Sequence, residues 1–301
     1  MVEHTLPATQ AVVTLDVALP GIVWGWIITM NMWAKSIGTG VIFIGFYLLK
    51  KYPDTKDVTF LKMPLVIISL VFIHIFLLFT VLDLHQMFRF WHIFFYPHWT
   101  SAITVGAWIV TGLVGVLFLM AAAKFVKKDS LYDSLMPWAV ILSIPVTLYT
   151  AGIMAEASAR ELWQMPTEMV QMILAATLTG SATLLLVGMN RFSDEVKRDL
   201  SVVLGLSAFA AFMLYMGELV FGPMKAEEVA AVLTYVQAGG EYSTMFWIGQ
   251  TFAFIVPSVL VLLAVTSRAY TIMPLAAVSA IVGLWLVKHV WLIIPQLLPM
   301  S

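Results

Sequence analysis

Eight long apolar runs, separated by short polar connections, recur along the chain near 22–48, 63–83, 101–124, 136–156, 167–189, 201–221, 244–266 and 271–294. A run of about twenty apolar residues crosses the hydrocarbon core as an α-helix. None of these runs shows the period-2 polar alternation of barrel strands, and only helices and closed barrels satisfy their backbone in lipid. The pattern predicts an all-α integral membrane fold of eight transmembrane helices. They are expected as two four-helix bundles, 1–160 and 161–301, divided at the charged turn that holds Glu156, Arg160, Glu161 and Trp163. The connections leave no room for a soluble domain. The longest, PMKAEEVAAVLTYVQAGGEY, reads in its middle as a short amphipathic helix lying on the interface. The opening MVEHTLPATQAVV has neither a basic stretch nor a small-residue cleavage site, so it reads as mature sequence.

Composition supports this class: 61% of residues are hydrophobic and 11% charged, too apolar for a soluble domain of this length. With no cysteine, an iron–sulfur cluster of the chain's own, covalent haem and disulfides are all excluded. Charge then orients the helices. Lys50, Lys51, Lys56, Lys62, Lys124, Lys127, Lys128, Arg191, Lys197, Arg198 and Arg268 lie in the odd-numbered connections, against Arg89, Arg160 and Lys225 in the even ones. By the positive-inside rule the odd connections are cytoplasmic and both termini extracytoplasmic, in a multi-pass protein of the cell membrane. No nucleic-acid partner is expected.

Polar residues inside apolar runs carry the candidate chemistry. Asn31 and Lys35 are four apart on the first run, hence on one helix face and within reach of one ligand. Lys35 lies near mid-membrane, where a cation costs at least ~3 kcal/mol and should face protein or a polar cavity; snorkelling to the interface is the bland alternative. Gly38 and Gly40 suit close helix packing. The second run carries His74, either a core hydrogen-bonder or a site residue, and ends at Asp83, placed to pair with a cation or a ligand. Aromatic residues then surround Arg89, His92 and His98, as expected at any headgroup level. Thr100 or Ser101 could cap the third helix. In the fourth, Pro145 frees the carbonyl of Ile141 one turn before Tyr149. The small polar stripe of Thr177, Thr179, Gly180, Ser181 and Thr183 reads as a packing face. Asp83, Glu156, Glu168, Glu218 and His289 all fall in the outer half, with Lys288 beside His289. The inner halves offer only hydroxyls such as Ser143, Thr147, Ser207 and Ser279.

The segment DLHQMFRFWHIFFYPHWTSAITVGAW resembles the join between the second and third helices of NrfD-type proteins, the polysulfide reductase membrane-subunit family. The matching positions are Asp83, Arg89, Phe90, Trp91, Thr100, Ser101, Gly106, Ala107 and Trp108. Tyr149-Thr150-Ala151-Gly152 followed by Arg160 and Trp163 is similar to that family's central turn, with Glu161 where proline is common. The resemblance covers essentially the whole chain. It implies a haem-free anchor that binds a quinone, menaquinone or similar, among the first four helices near the outer surface. Electrons would pass between the quinone and a ferredoxin-like [4Fe–4S] subunit on the outer face, and onward to or from a molybdopterin catalytic subunit. The family's asparagine–histidine pair matches Asn31 and Lys35, a departure that keeps a donor but changes its acid–base options. The family's quinone-site tyrosine matches Tyr149. A quinone site needs donors to two carbonyl oxygens and a group that exchanges protons. Lys35 and Tyr149 suit the first need, Asp83 and His74 the second, with Arg89, Arg160 and Trp163 as rim or brace. No metal site is expected.

Three rival readings stand beside this one. A di-haem anchor needs facing histidine pairs, and of His4, His74, His85, His92, His98 and His289 only His74 and His289 lie well inside runs. An ion-coupled transporter using Lys35 and Glu218 would want access from both sides, which the uncharged inner halves do not offer. A purely structural anchor would have lost its quinone site.

Overall fold

The computed structural model describes residues 21–53 and 55–298; the opening segment 1–13, with His4, lies outside them. Among the described residues, eight helices are long and apolar enough to span a membrane. They are α1 (Trp26–Lys51), α2 (Lys62–Leu82), α3 (Ala102–Phe125), α4 (Asp129–Glu156), α5 (Met165–Gly188), α6 (Asp194–Phe221), α7 (Ser243–Ser267) and α8 (Met273–Ile293). Helices α4 and α6 begin about two turns before their apolar runs. Those extra turns carry charge, which hydropathy discounts: Lys124 pairs with Asp129 at 2.6 Å and Lys62 with Asp133 at 2.6 Å. Helix α4 continues through Pro137 and Pro145. Helix α7 contains a π turn at Thr251–Ile255, where one residue is accommodated beyond α-helical register.

Helices α1 to α4 close one ring of neighbours, and α5 to α8 a second. The rings meet chiefly where α1 crosses α5. There Gly40 lies against the backbone of Ala176 and Gly180, so close that a Cβ on either glycine would strike the opposing main chain. The small stripe on α5 is this seam, and two of its hydroxyls bond their own helix: Thr179 Oγ1 donates to the Ala175 carbonyl at 2.8 Å and Ser181 Oγ to the Thr177 carbonyl at 2.7 Å. At the lysine-rich end, Asp199 of α6 accepts from Lys51 and from Tyr52 Oη (2.7 Å), tying the rings together.

We call the end where α1 begins and α8 finishes the terminal face, and the opposite one the basic face. Two expectations at the terminal face are corrected. Ser101 stands at the N-cap of α3, but neither its side chain nor that of Thr100 bonds the first turn; Thr100 bonds His98 at 2.8 Å, and Glu156 of α4 accepts the Ala102 N–H instead at 3.3 Å. The short helix Glu227–Leu233 turns its apolar side, Val229, Val232 and Leu233, into the protein rather than toward lipid. It covers the second ring.

Candidate functional site

A cavity of about 520 Å³ opens within the first ring near the terminal face. Its walls come from α1 (Ile28, Asn31, Met32), α2 (Phe76, Leu77, Thr80, Val81), α3 (Ile103, Ala107, Val110) and α4 (Tyr149, Thr150, Ile153, Met154). Asp83, His85, Arg89 and Phe90, from the connection after α2, line its mouth. The size is that of a small-molecule site, and the mostly apolar wall with a few convergent polar groups is the usual pattern for one.

Space for the cavity comes from small residues on α3. A Cβ at Gly106 would stand 2.5 Å from Cδ2 of Tyr149, so glycine lets the tyrosine ring lie flat against the helix. Ala107 follows in the wall, and Trp108 turns away to pack on Phe94 at 5.6 Å and Trp99 at 5.9 Å. Each member of the Gly-Ala-Trp triplet thus has a separate geometric reason.

Asn31 Nδ2 donates to the Phe76 carbonyl at 3.3 Å and to Thr80 Oγ1 at 2.7 Å. A carbonyl only accepts, so the amide nitrogen must face it. That leaves Oδ1 as the free acceptor of a residue that lines the cavity. One turn deeper, Lys35 is 2% exposed and donates to Thr150 Oγ1. Its Nζ sits over the Tyr149 ring at 4.7 Å and the Phe76 ring at 5.9 Å, attracted by the negative ring faces. Lys35 therefore touches the floor of the cavity from beneath and does not itself line it. Thr150, a hydroxyl that accepts from Lys35 and can donate in turn, is a link to which the sequence reading gave a place in a motif but no role. At the mouth, partial burial raises the Asp83 carboxyl above its ordinary range, with the neighbouring His85 opposing the shift.

Three candidates lie elsewhere. His74 is exposed on the outward stripe of Ile67, Val71 and Leu78. Its Nδ1 bonds the Leu70 carbonyl at 2.7 Å and its ring meets Phe118 edge-on at 5.8 Å. The expectation that it joins the site is corrected: a residue one step past the inward-facing Ile73 points about 100° away. Arg160 and Trp163 do not border the cavity but brace its wall. Arg160 Nη1 donates to the Leu298 carbonyl at 2.7 Å, and Trp163 stacks on Trp24, a wall residue, at 5.3 Å. Gln296, which no pattern flagged, holds the same wall: Oε1 accepts from the Val23 and Trp24 N–H groups at 2.9 Å each.

Among the described residues no three His, Cys, Asp or Glu side chains cluster as metal ligands. His289 bonds Thr29 Oγ1 at 2.9 Å and stacks on Trp285, so it does not face His74 across the ring.

Against this geometry, the sequence model of the family described as polysulphide reductase, NrfD, matches residues 17–299. No curated protein matches the chain. The chain belongs to the NrfD family, and so is a membrane anchor subunit of a quinone-reactive oxidoreductase complex.

Proposed function

We propose that this NrfD-family chain is a haem-free anchor that takes a quinone head group into the first-ring cavity and relays electrons to an iron–sulfur subunit on the terminal face. The division of labour is that of the two halves, 1–160 holding the quinone and 161–301 supporting it. The observation that carries the reading is the cavity itself: an apolar chamber with a few interior polar groups, Asn31, Thr80, Tyr149 and Thr150, contributed by α1, α2 and α4. The fit to a quinone is good on two counts. The apolar walls between α2 and α3 suit a prenyl tail, and the polar groups offer both an acceptor and donors. Cation excess on the basic face supports a cytoplasmic position for that face, with the cavity and its partner outside, on the cell membrane. The zero-cysteine chain leaves the clusters, ferredoxin-like [4Fe–4S], to a separate subunit, and the terminal chemistry to a molybdopterin subunit beyond it.

When bound, the quinone supplies two-electron, two-proton chemistry. Asn31 Oδ1 accepts a hydrogen bond from a hydroxyl of the reduced ring and so orients it. Thr150 transfers a proton between the inner end of the cavity and Lys35, whose Nζ holds it. Tyr149 shields the ammonium from lipid with its ring face and closes the cavity floor. Asp83, at the mouth, exchanges protons with water when ionised. Phe76 and Met154 exclude water from the chamber.

The test is the Thr150→Val variant, isosteric but unable to carry a proton, in purified complex reconstituted with menaquinol. Quinone-analogue fluorescence quenching should stay near wild type while quinol-linked turnover collapses. Retained turnover would remove Thr150 and Lys35 from the reaction, and retained quenching by a chain with a blocked cavity would remove the cavity.

A further inference from the structure

The second ring carries a polar cluster that the quinone reading does not use. Glu168 and Gln171 of α5, Tyr215 of α6, Gln250 of α7, and Lys288 and Trp291 of α8 are each at most 6% exposed. Counted from their helix ends, all lie within about two turns of the terminal face. Trp291 Nε1 donates to Glu168 Oε1 at 3.1 Å, and Tyr215 Oη donates to Gln171 Oε1 at 2.9 Å. Phe246 and Phe254, one turn either side of Gln250, pack on the Tyr215 ring at 6.5 and 5.7 Å, so Gln250 shares the face turned to that cluster.

What the cluster leaves unmet is specific. Gln250 is 0% exposed, yet both its side-chain Nε2 and Oε1 lack a partner, as does Gln171 Nε2. Lys288 is the cationic neighbour of Glu168, but the two make no direct ion pair among the described residues. Buried polar groups without partners are costly, and a site with two to four of them is what a buried water requires. Donors and acceptors are both on hand, and the α7 backbone is reshaped at this level. The π turn begins directly after Gln250, and Ser279 Oγ donates to the Phe252 carbonyl inside it at 2.6 Å; such turns gather at functional sites.

We propose that the second ring encloses a water-holding proton site, in which water bound by Gln171 and Gln250 links Glu168 to Lys288 and carries one proton between them. In that step one Lys288 N–H bond breaks and one Glu168 O–H bond forms, with a water molecule giving one proton as it takes another. No electron moves and the net charge of the pair is unchanged. The groups that face Glu168 are Lys288 from α8 and Tyr215 and Glu218 from α6; α7 offers only the neutral Gln250, and His289 turns away to Thr29 of α1. Exchange with the surface runs through Glu218, which Lys225 holds at 2.8 Å on both oxygens. Toward the basic face the ring is sealed by buried Ala175, Leu178 and Leu284. The site is a store open at one end.

The test uses the purified complex in nanodiscs. Cryo-EM at a resolution that shows water should place density between Gln171 and Gln250. Infrared difference spectra across a pH step should show a carboxylic acid band that shifts in D2O, is lost in Glu168→Gln and persists in Glu218→Gln. If Glu168→Gln alone fails to assemble, the double variant Glu168→Gln/Lys288→Gln leaves a neutral pair and reads the same loss. A direct Glu168–Lys288 contact with no water density, or an unchanged band in either Glu168 variant, overturns the proposal. Quinone-analogue quenching in the same samples reports the first ring separately, so failure of that reading and failure of this one are distinguishable.

Discussion

The two rings are built from the same material and finish differently. Each is four apolar helices with one deeply buried lysine, Lys35 in the first and Lys288 in the second. In the second ring aromatic residues pack on one another near the same face: Tyr215 stacks on Phe254 at 5.7 Å and meets Trp291 edge-on at 4.9 Å. In the first ring a cavity opens near that face, because Gly106 and Ala107 withdraw and Tyr149 flattens against the glycine. The partners differ as well. Lys288 has a carboxylate neighbour, whereas Lys35 has a hydroxyl and two ring faces. A buried cation with an anion beside it makes an internal network; one without needs a visitor. Neighbour size and pairing, more than the polar residue itself, separate a ligand site from a core.

The largest effect should come from removing the unpaired cation. Lys35→Met keeps the stem that packs on Tyr149 and Phe76 but removes the proton donor. Losing a positioned acid–base group costs about 100-fold or more in rate. Quinol-linked turnover of the assembled complex should fall by that factor while thermal stability in detergent holds or rises. A drop in stability with turnover per folded complex unchanged would make Lys35 structural, like its counterpart.

The second ring should respond the opposite way. Glu168→Ala leaves Lys288 without its carboxylate neighbour, and a buried charge without compensation is strongly destabilising. Thermal unfolding in detergent should shift down strongly, and pairing the change with Lys288→Met should recover much of the loss. An undiminished melting temperature in Glu168→Ala would mean that Lys288 finds its compensation elsewhere.

How far the sequence discloses this contrast depends on the distance over which the cause acts. Run length and hydropathy specify eight helices, and the i, i+4 spacing of Asn31 and Lys35 places both on the cavity side. The matching signal in the second ring was present too. Glu168 and Gln171, Tyr215 and Glu218, and Lys288 and Trp291 are three apart on apolar helices, hence on shared faces. What no spacing reveals is which faces of four helices meet, so neither the joining of those pairs nor the gap around Gln250 was legible. The role of Thr150 under Lys35 and the clasp by Gln296 depend on the same tertiary facts. Helix α2 is apolar on all sides, which left the direction of His74 unreadable.

Filling the first ring should make it resemble the second. Gly106→Leu places a side chain where Tyr149 lies, and overpacking costs about 1–3 kcal/mol. With 1.36 kcal/mol per factor of ten, quinone-analogue affinity should weaken by roughly tenfold to 100-fold. The counterpart Ala253→Leu in the closed ring should leave that affinity alone and lower stability. Equal quinone binding in Gly106→Leu would place the ligand outside the cavity.

A smaller effect is expected at the mouth, where pH separates the rings. The Asp83 carboxyl, raised by burial, stays protonated at pH values where an ordinary aspartate is ionised, and only its ionised form accepts a proton. The turnover that depends on it should therefore rise with pH through a limb lying above the usual carboxylate range. Asp83→Asn should abolish that limb without changing quinone-analogue binding by more than a few-fold. A limb that survives the substitution belongs to another group.

The smallest effect belongs to His74. Its Nδ1 must donate to the Leu70 carbonyl, since a carbonyl only accepts, and in the neutral ring this leaves Nε2 as an acceptor. The ring faces outward on a stripe of Ile67, Val71 and Leu78, where an unpartnered acceptor gains nothing from lipid. His74→Leu completes that stripe and should leave turnover, quinone binding and the acidic limb where they were, with stability held or slightly improved. If quinone affinity fell instead, the ligand would have to reach between α2 and α3 at the level of Phe118, and the tail rather than the head group would be the part that His74 meets. That result would enlarge the first ring's site toward the lipid without filling the second, and the contrast between an open and a closed ring would then rest on two openings in one of them.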